Sequence, residues 1–254
     1  MKTAAKVYIG ITALVGLAGL AYALSSLPQP DKIWILVALV LLCAVAQATA
    51  VPLFAGSSIS VALAISFISL LLLGPAAAII TNLGSAAVHA LYPKRRPWYK
   101  IVFNTGLFTI SAGAAGAIFW LCGGVWPIGD LAWSAIAFIA AALIYFVVNT
   151  LMLSLAISLA SGQNFRKVFN ENHRWLVFHY LTAGMISLVA AMGYRSMGWT
   201  GLLIFSIPLI MPWLSTRMYV AKTKALMARD AELLLLKQRL AETQSKVLVP
   251  ETTQ

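Results

Sequence analysis

Apolar residues in this chain come in long unbroken runs rather than at a fixed period, and polar residues collect between the runs. Segments 36–43 and 135–148 are apolar on every side of any helix drawn through them. A lipid-facing barrel strand would instead alternate apolar and polar residues at period two. Lipid admits only helices or closed barrels, because every backbone N–H and C=O must find its partner within the protein. The pattern therefore predicts an all-α fold, that of a polytopic helical integral membrane protein.

The first span is predicted over 7–24, with Lys2 and Lys6 ahead of it and the polar, proline-containing stretch 25–30 behind it. A basic start and the small-residue site Ala21-Tyr22-Ala23 also fit a cleavable signal peptide. We expect an uncleaved span, since no sizeable exported domain follows. Further spans are predicted over 33–54, 101–122, 131–160, 176–194 and 200–218. Between them lie two shorter apolar segments, 59–73 and 76–91, separated by Gly74-Pro75. At about 1.5 Å per residue the first of these reaches only ~22 Å, against a hydrocarbon core of about 30 Å. The pair is thus either a tight crossing hairpin or re-entrant; the chain shows seven or eight hydrophobic segments, and its spans number eight if both short ones cross. Three parts follow: a first span with its outer loop (1–32), a multi-span membrane domain (33–218), and a C-terminal helix with a frayed tail (219–254).

Composition agrees. The chain is 61% hydrophobic and 10% charged, with mean hydropathy +0.89, whereas a soluble domain is about 25% charged. Charge then supplies the orientation, because Lys and Arg beside spans are retained on the cytoplasmic side. Alternate crossings place 16 of the 18 basic residues together, among them Lys94, Arg95, Arg96, Lys100, Arg166 and Lys167, and leave only Lys32 and Arg195 opposite. Both termini are expected in the cytoplasm, and the protein in the inner (cytoplasmic) membrane of a bacterial cell. The formal net charge of +11 sits in clusters next to spans, which suits anionic lipid head groups and argues against a nucleic-acid partner. Trp34, Trp126, Trp133, Trp175, Trp199 and Trp213 fall near span ends, where indole rings favour the headgroup zone.

Candidate chemistry is sparse. No acidic residue lies within a span, which lowers the class of proton- and ion-coupled pumps. His89, His173 and His179 share no metal-ligand spacing, so no metal and no cofactor are expected. No nucleophile elbow, phosphate loop or HExxH motif occurs, and an enzyme is not expected. Cys43 and Cys122 form no CxxC pair and read as buried small hydrophobes. The polar residues inside the spans are Gln47, Thr49, Ser60, Ser66, Ser69, Thr81, Asn82, His89, Asn104, Thr105, Asn149 and His179. In lipid such groups turn inward, either to bond neighbouring helices at about 0.6 kcal/mol each or to line a ligand cavity, for which Asn82, Asn104, Asn149 and His179 are the candidates. Small-residue spacings at Gly19/Ala23, Ala112/Gly116 and Gly113/Ala117 permit close helix approach.

The tail is built differently. From 217 to 247 the sequence is rich in Ala, Leu, Lys, Arg, Glu and Gln with neither Gly nor Pro, so the last span is expected to continue as one helix. Leu226, Leu233, Leu240 and Val247 recur every seven residues, with Leu236 beside the stripe. This suggests a short coiled coil and a homodimer, although Asp230 and Lys237 interrupt its second apolar position. A basic amphipathic helix on the inner leaflet is the competing reading.

The string LLLLGPAAA over 70–78, then KRRPWYKIVFNTGLFTISAGAAG over 94–116, YFVVNTLMLSLAISLASGQNFRKVFNENHRW over 145–175 and GWTGLLIFSIPLIMPWLSTRMY over 198–219 together carry a resemblance. From 33 to 218 the chain resembles the multi-span membrane region that precedes HD-GYP phosphodiesterase or diguanylate cyclase domains in bacterial signalling proteins. The matching marks are Lys100, Phe103 and Asn104 at the head of a span, Asn149 within the long span, and a break at Pro208 in the last one. The resemblance implies a sensory or scaffolding module that passes a change through its last helix to an output partner. No phosphohydrolase signature, GGDEF motif or kinase block follows that helix, so catalysis is not carried over. The polar end, 249–254, reads as a natural frayed terminus, and a stand-alone relay to a separate cytoplasmic partner is the expected function. A second class stays open. The chain is also similar to the substrate-binding subunits of energy-coupling-factor vitamin transporters in its small size, its alanine content and its lack of embedded charge.

Overall fold

The computed structural model describes residues 2–52, 58–92 and 95–248. The described residues are almost wholly helical: α1 (Thr3–Ser25), α2 (Ile33–Ala48), α3 (Ala62–Leu73), α4 (Pro75–Leu91), α5 (Trp98–Leu121), α6 (Leu131–Ser161), α7 (Phe165–Asn172), α8 (Leu176–Met197) and α9 (Trp199–Leu248). Five stretches are long and apolar enough to cross a membrane, namely α1, Pro30–Ala48, α5, α6 and α8, and α3 and α4 are shorter apolar helices. The chain is an all-α polytopic membrane protein, as the unbroken apolar runs require.

Boundaries follow local chemistry. The span expected over 33–54 stops at Ala48, six residues early. Pro52 disfavours the helical conformation at the residue before it, and Val51–Pro52 instead forms a two-residue antiparallel ladder, β1, with β2, Ser58–Ile59. The Ser60 hydroxyl accepts from the Ala62 amide at 3.1 Å and so caps the start of α3. Asp130 caps α6 through the amides of Ala132 (2.9 Å) and Trp133 (3.3 Å). Gly162 closes the same helix in the left-handed conformation, φ 78°. The short helix α7, capped by Asn164, had no counterpart among the predicted spans.

α3 lies at the centre. Ten of its twelve residues are buried, enclosed by α2, α4 and α8 and by aromatic rings from α6. Phe67 meets Phe138 edge-on at 5.2 Å and Tyr145 at 5.3 Å, and Phe138 meets Phe119 of α5 at 6.3 Å. Lipid tails are as apolar as leucine, so what holds such a core together is dispersion between closely fitted surfaces. The expected small-residue pairs contribute, since a Cβ on Gly116 would come within 2.4 Å of Pro75. Equally close or closer approaches lie elsewhere. A Cβ on Gly16 would stand 2.3 Å from the Gly106 Cα, one on Gly84 2.4 Å from the Val40 carbonyl, and one on Gly201 1.9 Å from the Gly193 carbonyl.

The short pair α3–α4 folds back on itself at Gly74, whose φ of 91° suits glycine. The Thr81 hydroxyl donates to Ser69 across the hairpin at 2.8 Å. Its tip lies at one end of the bundle with the α5–α6 loop, where Ile128 N–H bonds the Leu71 carbonyl at 2.9 Å. The Arg195 guanidinium donates there to the carbonyls of Ile128 and Gly129. Trp126 packs on Gly74 and on Phe119. This indole therefore belongs to the tip rather than to a headgroup belt, unlike the exposed Trp34, Trp133, Trp175 and Trp199. Cys43 is buried as expected, but Cys122 is exposed, because α5 ends there in a glycine turn. At the opposite end Tyr8 donates to the Met152 carbonyl at 3.2 Å and Lys2 lies against Gly162.

The chain divides into two compact units, Met1–Trp213 and Leu214–Gln254. Helix assignment continues through Pro208 without a break, as membrane helices tolerate when neighbours and local adjustments satisfy the freed carbonyl. In the second unit Leu226, Leu233, Leu236 and Leu240 are all exposed, and the side chain of Val247 lies outside the described residues.

Candidate functional site

Helix α4 presents Thr81, Asn82 and Ser85 within about one turn, and each reaches a different helix. Thr81 bonds Ser69 of α3 at 2.8 Å, Asn82 donates to the Tyr145 hydroxyl of α6 at 3.3 Å, and Ser85 donates to Gln47 of α2 at 3.0 Å. Positions 81 and 85 share a face at i, i+4, while position 82 is turned about 100° away. One turn of α4 thus clamps three neighbours.

From Tyr145 the polar path continues. Its ring lies 5.9 Å from that of Tyr180, and the Tyr180 hydroxyl donates to Asn149 Oδ1 at 3.1 Å. Tyr145 and Asn149 are i, i+4 neighbours on α6, so one face of that helix holds α4 through the first residue and α8 through the second. His179 meets the Tyr180 ring edge at 6.1 Å. Asn82 (5% exposed), Tyr145 (3%), Asn149 (7%) and Tyr180 (9%) make a buried cluster of amides and phenols. Within it the Asn149 Nδ2 donor has no hydrogen-bond partner among the described residues, and nearby in the core the Ser66 hydroxyl has none either. A buried donor left unpaired costs about 1–3 kcal/mol, which sets this cluster apart from polar groups whose only task is to join helices. The arrangement can bind and orient hydrogen-bonding groups; it contains no activated nucleophile.

Of the four candidate ligand residues, Asn82, Asn149 and His179 are brought together by two tyrosines. Asn104 is not; it is half-buried on α5, away from that network. Tyr145 and Tyr180 escaped the sequence reading because a tyrosine within an apolar run counts as apolar. The spacing of Tyr145 and Asn149 was the available signal. Other span hydroxyls close on their own helix, Thr105 on Ile101 and Thr109 on Thr105. The basic residues of the opposite end are at the surface: Arg95, Arg96, Lys100, Arg166 and Lys167 are exposed, and Lys94 lies outside the described residues. Beside them His173 is buried, with its Nδ1 2.9 Å from Ser154 Oγ. Burial holds the His173 imidazole below its ordinary range, so the ring is neutral.

An open cavity of about 700 Å³ lies apart from the polar cluster, between α1, α4 and α5, and its walls are apolar.

Comparison of the chain with curated proteins and with solved structures returns no match. The family model MASE9, that of a membrane-associated sensory domain family, matches residues 32–218, from the start of α2 into α9. That range covers well over half of the chain, including α4, α6 and α8 with their polar cluster, and coincides with the region of resemblance noted above. The chain therefore belongs to the MASE9 family of membrane-associated sensory domains.

Proposed function

We propose that this chain is a membrane sensor or scaffold module of the bacterial inner membrane that relays a ligand or membrane state through its last helix to a cytoplasmic partner. Carrying the reading is α9, assigned without interruption from Trp199 in the membrane domain to Leu248 in the charged tail, with its leucine stripe exposed and free to meet a partner. The family supports the sensory half of the proposal. A relay needs two packing states of similar energy, and a ligand shifts them only by its differential affinity. The polar cluster suits that role, since its unpaired donor on Asn149 would gain a partner in a rearranged state. The net positive charge and the basic residues beside the spans support a cytoplasmic location for both termini. The output is proposed to be non-catalytic within this chain, to run through a separate signalling partner such as a cyclic-dinucleotide enzyme, and to use tail pairing between two copies.

The test is genetic. Leu233→Asn with Leu240→Asn is expected to change cyclic-dinucleotide levels in cells as much as deleting the whole chain does, with insertion of the bundle unaltered. Unchanged levels after removal of 219–254 would overturn the relay.

A further inference from the structure

The cavity between α1, α4 and α5 exists because of what its walls lack. Gly113 of α5 supplies no side chain there, the nearest atom to a Cβ on it being Ile79 Cδ1 at 4.0 Å, whereas Gly19 and Gly116 sit close against Thr109 and Pro75; Val15, Ile79, Ile110 and Ala114 are among its other walls. No ionisable group lies along this depth. The one hydroxyl, that of Thr109, is already spent on the Thr105 carbonyl of its own helix. Polarity returns at one end, where Tyr22 and Trp120, both exposed, stand near the last turns of α1 and α5, and where Trp126, whose buried indole N–H has no partner among the described residues, joins the lining.

The cavity is open along its flank and runs into the apolar outer surface of α1, where Val7, Ile11, Leu14 and Leu17 are all exposed. That surface faces lipid in a polytopic membrane protein, so the groove is a continuation of the established lipid interface. Its volume of about 700 Å³ falls in the range of sites for small molecules, roughly 300–1,000 Å³. One turn of an α-helix with its side chains fills on the order of 500 Å³, so a helix from a second copy would find room for little more than a turn. A slender hydrocarbon chain fits instead, and filling the groove adds dispersion contacts along the bare backbone at Gly113.

We propose that this groove is a binding site for one acyl chain of a bilayer phospholipid, with the ester region of the lipid resting between Tyr22 and Trp120. The gradient of the walls matches that of such a lipid, apolar along Ile110 and Gly113 and amphipathic at the aromatic rim, where indole and phenol rings favour the interface. One wall, α1, lies outside the matched range 32–218. The proposal needs the membrane embedding of the bundle and not the relay through α9, so either can fail alone.

Gly113 supplies the test, because the nearest atom to a Cβ placed there is Ile79 Cδ1 at 4.0 Å. Gly113→Leu therefore fills the groove without a backbone clash. Gly10→Leu is the control, since nothing lies within 4 Å of a Cβ at that lipid-facing position. The full chain is placed in phosphatidylcholine vesicles containing a phospholipid with a diazirine in its acyl chain, irradiated, and its adducts are mapped by mass spectrometry. Peptides around Val15 and Ile110 are expected to exceed the lipid-exposed Val147 and Leu151 of α6 in adducts by about tenfold. Gly113→Leu should abolish the excess and Gly10→Leu should keep it. Equal labelling of α5 and α6, an excess that survives Gly113→Leu, or cross-links to a second copy in place of lipid would each overturn the proposal. The wild-type ratio decides it alone should Gly113→Leu not insert.

Discussion

Helix α1, with Lys6 near its start, has mean hydropathy 2.0 and only 17% of its spanning window buried, whereas α3, which carries no charge, has ten of its twelve residues buried. In water such a pair would compete for the core, and α3, the more apolar of the two, would win on that ground alone. In lipid that competition disappears, because a leucine gains nothing by leaving hydrocarbon for protein. What separates the two helices is length and fit. α1, at 23 residues, spans the slab unaided. α3 is too short to do so, and the protein must cover its ends, its neighbours and its two serines. The difference teaches that burial in this fold follows reach and surface fit; α2, which has no charge and only four of its sixteen residues buried, shows that apolarity alone does not decide it.

The comparison can be broken from the α3 side first. Phe67→Ala removes the ring that Phe138 and Tyr145 meet edge-on and should cost about 3–5 kcal/mol, read as a lowered midpoint of thermal unfolding in detergent. Leu14→Ala on exposed α1 should stay within about 0.5 kcal/mol. Equal effects would erase the distinction drawn here. Next in size is Gly16→Leu, the place where α1 does touch the core. Its side chain would collide with Gly106, and a loss of about 1–3 kcal/mol is expected, with α1 becoming more accessible to protease. Gly10→Leu, on the open face of the same helix, should leave both readouts unchanged.

Smaller effects sharpen the picture. Tyr180→Phe deletes the bond to Asn149 and should destabilise the bundle by only about 0.6 kcal/mol, while Asn149→Asp, which introduces a charge at depth, should lower the yield of inserted protein. Leu233→Asn with Leu240→Asn should move the unfolding midpoint of the bundle least of all, by under about 0.5 kcal/mol, because these side chains are exposed and belong to the second unit. A large shift there would show that the tail contributes to the stability of the bundle.

Much of the architecture was legible without coordinates. Unbroken apolar runs gave the helices, and Gly74-Pro75 gave the turn of the short pair. Errors fell where a local polar group outranks the run. Pro52 and Ser60 moved two helix ends, and α7 was hidden in a polar connection. The candidate site was half legible, since Asn82 and Asn149 stand out in lipid-facing sequence while the tyrosines that join them do not.

The sequence by itself determined the solvent of this protein and its helical class, because each is a sum over residues that no packing can change. Tertiary structure alone decided which glycines let helices touch, which polar groups met and where a groove was left, because these depend on the rotation of each helix about its axis. In a helix apolar all round, nothing in the pattern of residues favours one rotation over another.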